Sequence, residues 1–228
     1  LKLLLFSSNF GTSMGSISEI LNENALHEKI LSTAGTLANE KNIPAYVVGG
    51  YIRDRLLGHK SNDIDIMVEG DGIKFAKSLS KKLGINTIVE FDRFGTAIIP
   101  HKGLEIEIAS ARTEKYHSNS RKPDIIFSTI EEDMSRRDFT INAIAASISP
   151  SNYGELYDPF GGLKDLQKGL IITPLDPDVT FSDDPLRMLR AVRFASQLEY
   201  KIAPNTIDSI AKNVQRLEII SWERIRDE

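Results

Sequence analysis

The stretch GGYIRDRLLGHKSNDIDI, from Gly49 to Ile66, decides how the rest of the chain is read. Its last four residues alternate acid and isoleucine and run on into Met67-Val68, the period of two expected of a half-buried strand. Successive strand side chains point to opposite faces, so Asp63 and Asp65 project from one side and can share a cation. The two glycines at its start follow a short apolar run, residues 45–48, read as a strand. They precede a short helix, residues 51–57, stopped by Gly58. Glycine lets backbone amides approach a phosphate closely, and a helix start favours anions. Arg53, on the first turn, can bind phosphate oxygens through two N–H groups. Taken singly, an i, i+2 acid pair is an exposed strand face and Gly-Gly an ordinary turn; their adjacency places a phosphate cradle just before two metal-binding acids.

Working outward, residues 17–42 space Ile17, Ile20, Leu21, Leu26, Ile30, Leu31 and Leu37 as one helix would. Residues 72–83 read as a helix, and 87–90, 96–99 and 104–109 as strands. Glu105 and Glu107 share a face of the last strand, and either serves chemically as a third acid. Residues 112–124 are polar, basic and without period, which predicts a mobile loop. A helical region follows from residue 130 to about 146, then a short strand near 155–157 and the turn Asp158-Pro159-Phe160-Gly161-Gly162. From about residue 177 the pattern reads as wholly helical, over 182–198, 204–217 and from Ser221 to Glu228. At about 100° per residue, Asp184, Arg187, Arg190 and Arg193 form a stripe on one half of the helix 182–198. Met188, Leu189, Val192 and Ala195 occupy the half expected to be buried. The ordinary reading of such a stripe is a solvated face.

The expected organisation is an extension over residues 1–16, a head domain over 17–176, and a helical neck over 177–228 cut off at its C-terminus. Met14 stands just before the first helical pattern, which suggests the extension. With 228 residues, 41% of them hydrophobic, the chain can bury one large core or two modest ones. Lys and Arg number 28 against 32 Asp and Glu, a formal charge of −4, which excludes gripping nucleic acid by bulk positive charge. RNA contact must come from a local basic patch or from a part of the protein outside this chain. The absence of cysteine excludes disulfides and thiolate metal sites, and four scattered histidines offer no zinc set; a reducing cytoplasm fits. The apolar run from Leu1 to Phe6 is shorter than a signal-peptide core, and no segment is long enough to span a bilayer.

The stretch from Gly49 to Ile66 closely resembles the first motif of the class II transfer-RNA nucleotidyltransferases and the related bacterial poly(A) polymerases. SRRDFTINAIA (135–145) resembles that family's ribose-binding motif, and DPFGGLKDL (158–166) its hinge motif. DDPLRMLRAVRF (183–194) is similar to the nucleobase-templating motif, and ERIRDE (223–228) to the one after it. The likeness runs in the family's order from about Tyr46 to the end of the chain.

It implies an α+β fold: a polymerase beta-like nucleotidyltransferase head, its mixed sheet flanked by helices, followed by an all-helical neck. It implies Mg2+ held by Asp63 and Asp65, with the triphosphate on Gly49, Gly50 and Arg53. It selects Glu107 over Glu105 as the third catalytic acid, because Glu107 keeps the family's spacing to Arg112. It places Arg137 on the nucleotide, Asp138 at the sugar, Asp184 and Arg187 on the base edge, and Arg190 and Arg193 nearer the base or triphosphate. Many relatives carry Glu where this chain has Asp183. The loop 112–124 resembles the element that helps CCA-adding members switch from C to A.

The implied activity is addition of CMP and AMP, from CTP and ATP, to the 3′ end of transfer RNA with release of pyrophosphate. A poly(A) polymerase or an A-adding enzyme is the neighbouring expectation. A non-enzymatic RNA-binding module is disfavoured, since RNA binding gains nothing from two acids facing the phosphates.

Overall fold

The computed structural model describes residues 17–115 and 124–228. The chain divides into two compact units: one ends at Asp133 and resumes over Ile144–Tyr157, and the other comprises Met134–Ala143 and Asp158–Glu228.

The first unit begins with α1 (Ser18–Leu21), α2 (Ala25–Lys41), β1 (Ala45–Val48), α3 (Gly49–Leu57), β2 (Asp63–Val68) and α4 (Gly72–Leu83). Then come β3 (Val89–Phe91), β4 (Thr96–His101), β5 (Leu104–Ser110), β6 (Arg112–Lys115), β7 (Asp124–Phe127) and the helix α5 (Ile130–Ser135), which straddles the boundary. It closes with β8 (Ala145–Ser147) and β9 (Leu156–Tyr157). Seven of these strands form one mixed sheet in the order β3-β4-β5-β2-β1-β8-β9. Only β2 and β5 pair in parallel; every other neighbouring pair is antiparallel. Ile64, Ile66, Ile106 and Ile108 are fully buried on the core face, and α4 lies against β4 and β5 with its own Phe75 and Leu79 buried. At Gly35 of α2 two segments of the chain come so close that a Cβ would sit 1.8 Å from the Ile148 carbonyl oxygen.

Three expectations change between residues 17 and 148. The helix 17–42 is broken at Asn22-Glu23-Asn24, because Asn24 turns its side chain onto the backbone. Its Oδ1 accepts from the Leu26 and His27 N–H groups at 2.9 and 3.1 Å and starts α2 afresh. The flanks of the loop 112–124 pair as an antiparallel ribbon, from Arg112 opposite Phe127 to Lys115 opposite Asp124; residues 116–123 lie outside the described residues. A strand as polar as Arg-Thr-Glu-Lys shows no apolar alternation, and its ladder is made by backbone groups the sequence does not mark. The helix predicted from 130 to about 146 ends at Ser135. A 3₁₀ turn, Thr140–Asn142, and the strand β8 replace its second half. Residues 138–148 are all buried, so no polar side remains from which to read a period.

The second unit holds α6 (Gly162–Lys168), β10 (Leu170–Ile171), α7 (Pro177–Asp183), α8 (Leu186–Leu198), β11 (Lys201–Ile202), α9 (Pro204–Asn213), a 3₁₀ stretch Val214–Ile219 and α10 (Trp222–Asp227). The segment after residue 177 is therefore not wholly helical, since β11 pairs in parallel with β10 through a ladder too short to show alternation. The helix expected over 182–198 is two helices, because Pro185 pushes Asp184 into extended backbone, φ −143°, ψ 101°. The buried face of α8 is Leu186, Met188, Ala191 and Phe194, whereas Val192 is 55% exposed. Phe194 sets that rotation by meeting the buried Phe139 edge to face at 5.9 Å between ring centroids. Among the described residues no helix is long and apolar enough to cross a membrane.

Candidate active site

In the first unit β1 runs antiparallel to β2, with Ala45 opposite Val68 and Val47 opposite Ile66. The chain leaving β1 at Val48 therefore arrives beside the N-terminal end of β2, where Asp63 and Asp65 stand. Gly49 turns there with φ 65°, a backbone conformation that favours glycine, and its N–H donates to the Ile144 carbonyl at 3.3 Å. A Cβ at Gly50 would lie 4.0 Å from Asp65 Oδ2 and 3.7 Å from Arg53 Nη2. The double glycine, Arg53 and Asp65 thus converge. Arg53 is only 7% exposed and is held by Asp54, whose Oδ1 accepts from Nε at 2.9 Å and pairs with Nη2 at 2.8 Å.

The parallel ladder to β5 sets Asp63 opposite Glu105 and Asp65 opposite Glu107, so four carboxylates share one sheet face. Asp63, Glu105 and Glu107 are exposed and Asp65 half-buried, while the isoleucines between them fill the core. Neighbouring strands are about 4.8 Å apart, and like charges placed across them repel unless a cation lies between. Among the described residues no three acid or histidine side chains form a ready-made metal cage. Magnesium takes one or two protein carboxylates and fills its octahedron with water and substrate phosphates, so this donor set fits a cation shared with a phosphate ligand.

In the second unit the charges pair off. Asp138 is 8% exposed. Its Oδ1 accepts from the Phe139 N–H at 2.8 Å and from Asn142 Nδ2 at 3.0 Å. Its Oδ2 accepts the Arg190 fork, Nε at 2.8 Å and Nη2 at 2.7 Å. Glu228 reaches Arg193 Nε at 2.5 Å and Arg190 Nη1 at 3.5 Å. Both guanidiniums stand over the Phe194 ring, Arg193 at 4.3 Å and Arg190 at 5.3 Å from its centroid. Burial would lower the Arg190 pKa, but the Asp138 and Glu228 carboxylates outweigh it and hold it above its ordinary value. Arg187 donates to the Arg136 carbonyl at 2.7 Å and to that of Thr180 at 3.4 Å, and Arg137 to that of Asn142 at 3.3 Å. Asp184, ahead of α8 and not on it, accepts from the Leu186 N–H at 3.2 Å and pairs with Arg224 at 2.9 Å. Asn142, Phe194, Arg224 and Glu228 are the supports that the sequence reading did not single out. Only the spacings Asp138 to Asn142 and Arg190 to Phe194, four residues each, could have flagged the first two.

Residues 45–172 match the model of the poly A polymerase head domain. The A-adding tRNA nucleotidyltransferase of Aquifex aeolicus is 46% identical over 162 residues, 71% of this chain and 19% of that protein. The CCA-adding enzyme of Ligilactobacillus salivarius is 40% identical over 191 residues, 83% of this chain and 45% of that protein. The chain spans less than half the length of either relative. Among solved structures, the Thermotoga maritima CCA-adding enzyme complexed with tRNA superposes with TM-score 0.80 at 36% identity, over 95% of this chain and 50% of that one. A CCA-adding enzyme complexed with ATP superposes with TM-score 0.82 at 37% identity, over 95% of this chain and 49% of that one.

Proposed function

This chain belongs to the poly A polymerase head-domain family of nucleotidyltransferases, and on that premise we propose that it adds CMP and AMP, without a template, to the 3′ end of transfer RNA, consuming CTP and ATP and releasing pyrophosphate. The observation that carries this reading is the convergence of Gly50, Arg53 and Asp65, with Asp65 in register with Glu107. Asp63 and Asp65 hold Mg2+, which supplies charge neutralisation for in-line attack of the RNA 3′-hydroxyl on the α-phosphate. The amides at Gly49 and Gly50 and the Arg53 guanidinium seat the triphosphate. Glu107 completes the acid set. Arg137, Asp138, Asp184, Arg187, Arg190 and Arg193 recognise the nucleotide. The four accepting positions of the Asp138 carboxylate are filled within the chain, so a contact to a sugar hydroxyl replaces one of those hydrogen bonds. Support comes from relatives named CCA-adding enzymes and from structures of CCA-adding enzymes with CTP and with ATP.

A second reading, addition of A alone, is favoured by the 46% identity to a relative named as A-adding. One experiment separates the two. Transfer RNAs ending before CCA and after CC are offered CTP and ATP, singly and together, and the products sequenced. Stepwise C, C and A is expected. A added only to the CC end supports the second reading, untemplated A runs on any RNA indicate a poly(A) polymerase, and no Mg2+-dependent incorporation overturns the activity.

A further inference from the structure

Asp63 is the first residue of β2, and the residues around it, Asn62, Lys60 and His59, are exposed, so the ladder by itself would leave it at a strand end prone to fray. A chain of polar contacts secures it from behind. Ser61 Oγ donates to the Asp63 carbonyl at 2.8 Å and accepts from the Asp63 N–H at 3.2 Å, pinning both backbone groups of that residue. The Ser61 N–H donates in turn to Glu23 Oε2 at 3.2 Å. That same oxygen takes Arg55 Nη1 at 3.1 Å, in an ion pair whose side chains are only 12% and 17% exposed. Arg55 also donates through Nη1 to the His59 carbonyl at 2.8 Å and through Nε to the Ile20 carbonyl at 3.0 Å. Glu23 lies in the break between α1 and α2, and Arg55 on α3, the helix that opens with the double glycine. One carboxylate therefore ties the phosphate-cradle helix to the loop that delivers the first acid of β2.

We propose that Glu23, acting through Ser61 and together with Arg55, is a positioning residue that fixes the Asp63 carboxylate and thereby sets the affinity of the β2 acids for a divalent cation. The proposal rests on the cation role assigned to Asp63 above, and on no choice of nucleotide or RNA. Without the Glu23 carboxylate, the Ser61 amide loses its acceptor and the half-buried Arg55 its counter-charge. Asp63 then samples positions that do not converge with Asp65, as metal sites do when their outer partners are removed.

The test is a Mn2+ titration of the 228-residue chain, following free Mn2+ by electron paramagnetic resonance, with a non-hydrolysable ATP analogue present. Glu23→Ala is expected to weaken Mn2+ binding about tenfold, the scale typical of outer-shell substitutions, with an unaltered far-ultraviolet circular dichroism spectrum. Glu23→Gln keeps an oxygen for the Ser61 amide and is expected to weaken binding less. Ser61→Ala leaves the ion pair in place and is expected to weaken binding in the same direction. Unchanged Mn2+ affinity in a folded Glu23→Ala protein, even with a lowered melting temperature, overturns the proposal. Should that variant fail to fold, unchanged affinity in Ser61→Ala overturns it. An unaltered chain that binds no Mn2+ also overturns it, whereas one that binds Mn2+ yet incorporates no nucleotide overturns the proposed activity and leaves the positioning role standing.

Discussion

On β2 and β5 the sheet ladder stands carboxylate beside carboxylate, Asp63 by Glu105 and Asp65 by Glu107. On α8, by contrast, Arg190 and Arg193 close on Asp138 and Glu228 over a shared phenyl ring. The ladder sets where these acids stand, and like charges side by side work against the fold. The arginines owe their places to the carboxylates and the ring they pair with, contacts that tie segments of the second unit together. Removing the exposed Asp63 should therefore cost chemistry and spare stability; breaking the arginine network should cost stability whatever it does to chemistry.

The largest expected effect is the loss of at least about a thousandfold in incorporation by Asp63→Ala or Asp65→Ala, about 4 kcal/mol of transition-state stabilisation. Chemical denaturation of the Asp63→Ala variant should give an unfolding free energy equal to the parent's or a few tenths of a kcal/mol higher, as like-charge repulsion is relieved. A drop beyond about 1 kcal/mol would break the contrast. Gly35→Ala sets the scale of a steric lesion in the same unit. A Cβ 1.8 Å from a backbone oxygen has nowhere to go, so α2 must shift, at about 3 kcal/mol or more in a denaturant titration. Asp138→Ala should cost about 2 kcal/mol, since it removes the buried half of a forked ion pair whose guanidinium remains one-third exposed and so partly screened. If it left the melting curve unchanged, the arginine network would be ornament on the surface of the second unit.

The smallest effect sharpens the contrast from the other side, with a carboxylate of the first unit that does serve stability. Asp71 caps α4, accepting from the Lys74 N–H at 3.0 Å, and that hydrogen bond chiefly lowers its pKa below the ordinary carboxylate value. A folded pKa below the unfolded one means that the contribution is fully present above about pH 4 and lost as pH falls through the folded value. Asp71→Ala should thus cost about 1 kcal/mol at pH 7. Its denaturation midpoint should merge with the parent's once the pH is well below the folded pKa.

The period of two in DIDIMV gave β2 to the residue, and with it the shared face of Asp63 and Asp65; the same reasoning put Glu105 and Glu107 on one face. That the two strands are parallel neighbours could not be read, because register between strands lies in contacts some forty residues apart and not in either segment. The stretch 138–148 misled for a different reason: burial on every side erases the polar half of any pattern. At Asp184-Pro185 the signal was present and overridden, as the proline forbids the helical continuation that the arginine stripe suggested. The partners of that stripe, Asp138 and Glu228, lie 52 and 35 residues from Arg190 and Arg193, beyond anything helical spacing can report.

The parallel pairing of β2 with β5 has an evolutionary consequence. Two strands that run the same way begin at the same edge, so everything between them, α4 and the β3–β4 hairpin, is a detour that leaves and returns. Its turns can gain or lose residues, and its outer hairpin can be redecorated, while the ladder still sets Asp65 against Glu107. The proposed chemistry is thereby insulated from its own connecting sequence, which leaves lineages free to diversify the periphery of this sheet without renegotiating its centre.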